Sequence, residues 1–289
     1  MRSRLQCVAA CLATALSGAA RAGPVEPGAD AEPTSDAQRP LWELGLGVAG
    51  LRLPDYRGSD RSGNYVLPLP YLVYRGTWLK ADRDGARALL VDTPRLKVDV
   101  SVAATTPARS RDNPARAGMP DLSGTAEVGP NLNLALASSP TDHWELDLRL
   151  PLRAAVTIER APEYVGTTFS PNLNLDLGRV GGGWNLGLQS GPVFADRKYH
   201  AYYYSVDPAD ATTGRPAYRA RGGYGGWQAL ASTSRRFAGT WIGAFLRYDR
   251  LQGAVFDDSP LVRRHSALSF GFGVSRILAT SSELVSSPD

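Results

Sequence analysis

From Leu41 onward the chain alternates between apolar and polar residues again and again, and the period is two. The segment His143 to Arg153 is the clearest example. Trp144, Leu146, Leu148, Leu150 and Leu152 fall on one face, and His143, Glu145, Asp147, Arg149 and Arg153 on the other. Leu96, Val98, Val100 and Val102 alternate with Arg95, Lys97, Asp99 and Ser101. Asn131 and Asn133 oppose Leu132, Leu134 and Leu136, while Asn172, Asn174 and Asp176 oppose Leu173, Leu175 and Leu177. Leu268, Phe270, Phe272 and Val274 alternate with small residues. This is the strand period, not the helical one. It predicts strands at 41–51, 64–75, 77–83, 86–93, 95–104, 122–137, 143–158, 166–180, 183–198, 221–236, 239–252 and 265–278. Polar or Pro-rich stretches at 105–121, 199–220 and 253–264 read as the longer loops. The motif Pro130-Asn131-Leu132-Asn133-Leu134 returns as Pro171-Asn172-Leu173-Asn174-Leu175, each copy followed by a turn and a Trp-led strand. Two successive hairpins of one design suit an up-and-down meander.

Alternation of this kind fits a soluble sandwich, which buries its apolar face, or a transmembrane barrel, which turns that face to lipid. The strands are long enough for a tilted bilayer crossing of about 10 residues. Trp42, Trp144, Trp184, Trp241 and Tyr248 stand at segment ends, where an interfacial girdle lies. The expectation is an all-β, transmembrane, up-and-down antiparallel β-barrel of about 12 strands, since bacterial barrels close with an even number. It would span residues 41–278, with a polar tail at 279–289 trailing free.

Charge changes the picture at the N-terminus. The first 22 residues hold three of the 32 Lys and Arg and none of the 28 Asp and Glu, so without them the balance falls from +4 to +1. That excludes a nucleic-acid reader relying on a dominant positive field. Arg2 and Arg4 precede an apolar run, and Ala20-Arg21-Ala22 has the small-x-small form of a signal peptidase site. The reading is a signal peptide at 1–22, cleaved before Gly23, then a flexible Pro-rich segment at 23–40. Both cysteines, Cys7 and Cys11, lie in this leader, so the mature chain has no thiol for disulfides, metal sites or catalysis.

Candidate chemistry is sparse. Gly45-Leu46-Gly47-Val48-Ala49-Gly50 matches a dinucleotide fingerprint, but Pro54 and further turn residues follow where a helix is required. Gly181-Gly182-Gly183 reads as a hairpin turn. His143, His200 and His265 lack metal-ligand spacing, and no nucleophile elbow is present. No catalytic, metal or cofactor-binding residue is assigned and no cofactor is expected. A barrel-embedded lipid hydrolase would need Ser259 or Ser266 beside a histidine and a carboxylate.

The charged residues on the polar faces are more informative. Glu43, Arg95, Lys97, Asp99, Glu145, Asp147, Arg149, Arg153 and Asp176 would face the lumen. They could form an ion-paired interior or line a narrow water-filled pore. Asp257, Asp258, Ser259, Arg263 and Arg264 lie in a stretch where Pro260 precludes regular pairing. This stretch is read as a mouth loop folded over the opening, with acid and base neutralising one another. An exposed loop is the alternative.

The chain resembles the MipA/OmpV family of Gram-negative outer-membrane proteins from about Trp42 to Val274. The resemblance lies in Tyr56-Arg57-Gly58-Ser59-Asp60, Pro68-Leu69-Pro70-Tyr71, Gly129-Pro130-Asn131-Leu132 and Phe169-Ser170-Pro171-Asn172-Leu173. It continues through Gly187-Leu188-Gln189-Ser190-Gly191-Pro192, Tyr202-Tyr203-Tyr204, Tyr248-Asp249-Arg250-Leu251 and Asp258-Ser259-Pro260-Leu261-Val262. The resemblance implies a barrel in contact with outer-membrane lipid, with no enzymatic activity. It implies a scaffold for peptidoglycan biosynthesis, joining a lytic transglycosylase to a bifunctional murein synthase. A porin-like, small-solute channel is the second implied role. No catalytic residues come with the family. The terminus departs from the usual barrel signal, because Ser275-Arg276-Ile277-Leu278 and a polar tail follow the last alternating residues.

Overall fold

The computed structural model describes residues 38–75, 79–82, 85–88, 91–93 and 95–286. The leader, residues 23–37 and the last three residues lie outside the described residues, as do parts of the 77–83 and 86–93 segments. The strands, in chain order, begin with β1 (Gln38–Pro40), β2 (Trp42–Pro54), β3 (Ser62–Arg75) and β4 (Leu79–Asp82). Next come β5 (Gly85–Ala88), β6 (Val91–Asp92), β7 (Leu96–Ala104), β8 (Thr125–Ser139) and β9 (Trp144–Thr157). The last are β10 (Tyr164–Phe169), β11 (Asn172–Arg179), β12 (Trp184–Ala195), β13 (Gly223–Phe237), β14 (Thr240–Arg250), β15 (Ser266–Thr280) and β16 (Leu284–Ser286). One helix of two turns, α1 (Arg197–Tyr204), follows β12.

Fourteen of these strands form one antiparallel sheet in the order β5-β4-β3-β2-β15-β14-β13-β12-β10-β9-β8-β7-β6, with β11 also between β12 and β9. The first and last long strands are therefore neighbours, in register from Glu43 opposite Thr280 to Arg52 opposite Phe270. The sheet's two ends, β5 and β6, belong to one run of chain, and β5 lies beside β7. The result is an up-and-down barrel. β5 with β6, and β10 with β11, each share one place in the wall, so the described strands occupy twelve positions.

Side-chain parity separates the two surfaces. Leu46, Val48, Val66, Leu152, Leu173, Leu188, Leu246, Phe270 and Phe272 project outward. Asp99, Asn131, Asn133, Asp147, Asn172, Asn174, Ser232 and Ser269 are buried inside. Facing lipid, an outer apolar belt costs nothing, while a closed wall leaves no backbone edge unsatisfied in the bilayer. The glycine run discounted above has a packing reason. A Cβ on Gly47 would sit 1.9 Å from the Val274 carbonyl oxygen, so β2 and β15 approach through it.

Because successive strands reverse direction, alternate connections share a rim. The segments 55–61, 105–124, 158–163, 196–222 and 251–265 all lie at one end, the loop rim. The other end carries short turns, among them Val180–Gly183, where Gly181, Gly182 and Gly183 all have positive φ.

Three expectations need correcting here. The tail does not trail free: β16 pairs with β1 from Leu284 opposite Pro40 to Ser286 opposite Gln38. Barrel closure brings the first and last described strands to the turn rim, where Leu41 N–H also donates to the Glu283 carbonyl. Trp241 is no girdle residue; it is buried inside the barrel with Leu51, Leu69, Leu230 and Phe245. The loop after β12 contains α1, where the sequence predicts only an irregular stretch. Asp196 caps it by accepting the Tyr199 N–H at 2.8 Å. The helix is held by burial of Tyr203, Tyr204 and His200 rather than by propensity.

Candidate functional site

Two features dominate the interior: ion-paired clusters lower in the barrel and an aromatic plug at the loop rim. Near the turn rim, Glu43 of β2 is 1% exposed and bridges two arginines. Arg75 Nη2 lies 2.8 Å from its Oε1 and Arg236 Nη1 lies 2.8 Å from its Oε2. Across the lumen, Arg149 reaches Asp176 at 3.3 Å and Asp147 at 3.8 Å. Asn174 donates to the same Asp176 carboxylate at 2.7 Å. Lys97 stands 3.6 Å from Glu145. Asp99 instead accepts from the side-chain amides of Asn131 and Asn133 at 3.1 and 3.0 Å. Arg153 is held by hydroxyls, its Nε donating to Ser101 Oγ at 2.8 Å.

Arg95 departs from the expectation. It precedes β7 and is exposed at the turn rim, and its carbonyl accepts from Ala135 N–H. The strand period ends one residue before it does any inward work. Sequence reasoning also missed several lumen ions. Arg247 and Asp249 share the inward parity of Phe245 on β14, and Glu127 shares that of Asn131 on β8, so alternation carried a signal for all three. Arg57 lies in the loop after β2, where no period applies. Its Nε binds Asp249 at 2.8 Å, and the other oxygen of Asp249 takes Arg247 Nε at 2.9 Å.

The plug is built from α1 and the loops around it. Phe256 is fully buried, stacks on Tyr204 at 3.7 Å and 9° between planes, and meets the edge of His200 at 4.6 Å. Tyr204 donates its hydroxyl to the Arg57 carbonyl, and Tyr56 donates to the Leu261 carbonyl at 2.8 Å. Gly166, at φ 142°, lets β10 lie against α1; a Cβ there would be 2.4 Å from Tyr199 N. Tyr199 donates to Glu127 at 2.8 Å. Burial, then the Glu127 carboxylate, pushes the Tyr199 phenol well above its usual range. Burial also pushes Tyr203 and Tyr56 up to about 12. His200 donates from Nδ1 to the Arg221 carbonyl at 2.7 Å, and burial lowers its pKa below the ordinary histidine value.

The mouth loop folds in, but not by the forces expected. Asp257, Asp258, Arg263 and Arg264 do not pair with one another among the described residues. Asp257 accepts from the Gly253 N–H, Asp258 from the Tyr218 hydroxyl, and Arg263 and Arg264 stay exposed. Apolar burial of Ala254, Phe256 and Leu261 anchors the loop instead. Ser259 gives its hydroxyl proton to the Tyr204 carbonyl at 2.7 Å and accepts from Leu261 N–H. That bonding shapes the loop and leaves no histidine on the hydroxyl.

Between plug and ion pairs lies a cavity of about 430 Å³. Leu51, Leu53, Leu230 and Phe245 form one wall, and Asp99, Asn131, Arg149 and Arg153 the other. Tyr204, His200 and Phe256 roof it.

A family model described as MltA-interacting protein MipA matches residues 46–278. The chain belongs to the MipA family. This MipA-family chain is thus an outer-membrane β-barrel protein. Among curated proteins no relative matches it. Among solved structures it is similar to a bacterial polysaccharide outer membrane secretin at 11% identity and a TM-score of 0.40, over 82% of this chain and 99% of that one. It is similar to outer membrane phospholipase A from Escherichia coli at 10% identity and a TM-score of 0.32, over 83% and 94%. The toluene transporter TbuX of Ralstonia pickettii matches at 9% identity and a TM-score of 0.22, over 87% and 72%.

Proposed function

We propose that this MipA-family barrel is a non-enzymatic scaffold that anchors a lytic transglycosylase, and through it a bifunctional murein synthase, to the outer membrane. One observation carries the reading. The loop rim is stoppered by the Phe256–Tyr204–His200 stack, above a lumen crossed by ion pairs. A barrel filled in this way offers its rims to partners rather than its lumen to solutes. The family description, MltA-interacting protein, supports the choice of partner. In outer-membrane barrels short turns face the periplasm. The partner surface is therefore assigned to the turn rim, including Arg95, Val180–Gly183 and the β1–β16 ribbon. The leader at 1–22 is the export signal in this reading, removed before Gly23.

The test is binding of the refolded protein to a purified lytic transglycosylase by surface plasmon resonance. Binding should survive deletion of 254–262 and fall when Val180–Gly183 is replaced by an unrelated turn. Binding lost with the loop deletion and kept with the turn replacement would reverse the assignment of the rims. No binding at all would remove the scaffold reading. The cavity beneath the plug is the observation that favours the second reading, a narrow channel. Steady single-channel conductance of the intact protein in a planar bilayer would establish it.

A further inference from the structure

The outer wall carries a hollow on its lipid side. Along β13 the outward side chains run Trp227, Ala229, Ala231, Thr233, Arg235 and Phe237, the parity opposite to buried Ser232 and Ser234. The middle of this column is small where the neighbouring strands carry large residues. Ala229 and Ala231 therefore floor a trough of about 440 Å³. Leu173 and Leu188 bank it on one side, and Leu246 and Tyr248 on the other. All four of these banking residues are exposed.

Toward the turn rim this column ends in cations. The Arg235 guanidinium lies 4.4 Å from the centre of the Phe237 ring and 5.9 Å from that of Trp184. On β15, Arg276 faces Thr240 across the sheet and donates to its hydroxyl at 3.0 Å. A Cβ on Gly239 would lie 3.5 Å from Arg276 Cζ, so this side chain leans over the turn between β13 and β14. Phe237, which carries Arg235, pairs with the same Thr240. The two guanidiniums thus converge on one turn from either side. Among the described residues neither has a carboxylate within ion-pair distance. The aromatic rings hold Arg235 at the level of an interfacial girdle, where lipid head groups lie.

The depth of the trough matches one leaflet. From Arg235 to Ala229 is about 20 Å along a strand. At a tilt of about 45° that is about 14 Å of depth, against about 15 Å for half of a hydrocarbon core. A second copy of this chain suits the hollow less well. A twofold axis through it would set each Arg235 against its own symmetry mate, like charge against like.

We propose that the trough is a binding site for an anionic phospholipid of the periplasmic leaflet. One acyl chain lies along β13 over Ala231 and Ala229, and the phosphate is shared by Arg235 and Arg276. Guanidinium forks suit phosphate oxygens, and basic sites at the membrane surface select anionic head groups. Short turns of outer-membrane barrels face the periplasm, which fixes the leaflet. The site is independent of the scaffold reading.

The test is native mass spectrometry of the full mature barrel released from octyl tetraethylene glycol ether micelles. Dioleoyl phosphatidylglycerol and dioleoyl phosphatidylcholine are the probes, so the chains are the same and only the head group differs. The barrel should retain a single phosphatidylglycerol, preferred roughly tenfold over phosphatidylcholine. Arg235→Gln with Arg276→Gln should abolish the preference. If that pair fails the heat-modifiability check for folding, each single variant should lower the preference about threefold. Ala231→Phe fills the trough and should weaken retention of both lipids. Arg250→Gln, at the loop-rim end of the same face, should change nothing. Equal retention of the two lipids, or a preference indifferent to both arginines, would overturn the head-group site. Retention unaffected by Ala231→Phe would overturn the seat of the chain. Sensitivity to Arg250 would overturn the choice of leaflet, and a dimer abolished by Ala231→Phe would give the trough to a second copy instead.

Discussion

At the residue scale, the plug depends on two rings. Phe256 is fully buried between Tyr204 and His200. Truncation to alanine removes the stack and leaves a cavity, costing about 3–5 kcal/mol of local stability. Amide hydrogen exchange across 197–206 and 254–262 should accelerate while the wall strands stay protected. His200 gives the plug a pH dependence. Burial is the main influence holding its pKa down, and Arg57 acts in the same direction against the Arg221 carbonyl bond and Asp196. The unfolded imidazole titrates near about 6.5. Above that value both states are neutral and the plug is at full strength. As pH falls through the depressed folded value, charging the buried ring costs more than charging the free one, so the plug weakens. Protection factors across the same residues, taken against the intrinsic exchange rate at each pH, should therefore fall from pH 7.5 to pH 5, and His200→Gln should flatten the profile.

At the element scale, parity assigns each strand two different solvents. On β9, Leu148 is paired across the sheet with Leu134 and with the outward-facing Leu173, while Asp147 and Arg149 turn inward to Asp176. Leu148→Arg places a charge on the lipid face and should cost about 2–4 kcal/mol if the site lies near the bilayer midplane. Urea titration in lipid vesicles would measure it, and a silent substitution would show that Leu148 lies at an interface. Glu43 on β2 tests the opposite face. Glu43→Ala leaves the partly exposed Arg75 and Arg236 without their carboxylate, a loss below the about 3–5 kcal/mol of a fully buried pair. Glu43→Gln should recover only part of that, since it restores hydrogen bonding but not charge.

At the scale of the whole molecule, the loops decide whether the barrel is open. Deleting 254–262 removes Phe256 from the roof of the cavity and Leu261 from the apolar cluster behind it. The truncated barrel should assemble, shown by heat-modifiable migration, and should conduct more than the intact protein in a planar bilayer. Equal conductance would mean that the ion-paired lumen, rather than the plug, blocks passage.

Period two by itself determined that this chain is built of β-strands, because a strand alternates its side chains whatever surrounds it, and strand length with the aromatic segment ends turned that into a barrel. The long strands β2, β8, β9, β13, β14 and β15 were legible for that reason. Parity also separates outward Leu148 from inward Asp147 without any knowledge of the partners. It does not say which inward residues meet. Arg236 reaching Glu43, or Arg57 reaching Asp249, depends on which strands the closed ring brings face to face. Nor does alternation distinguish an apolar residue facing lipid from one facing an apolar lumen, and Trp241, at a segment end that suits an interface, is interior. Loops carry no period at all. The β1–β16 ribbon forms only because the closed wall sets the first and last long strands side by side at the turn rim, and the helix α1 and the stack on Phe256 because it gathers distant segments at the loop rim. There, burial of aromatic rings outweighs the cost of ordering the chain.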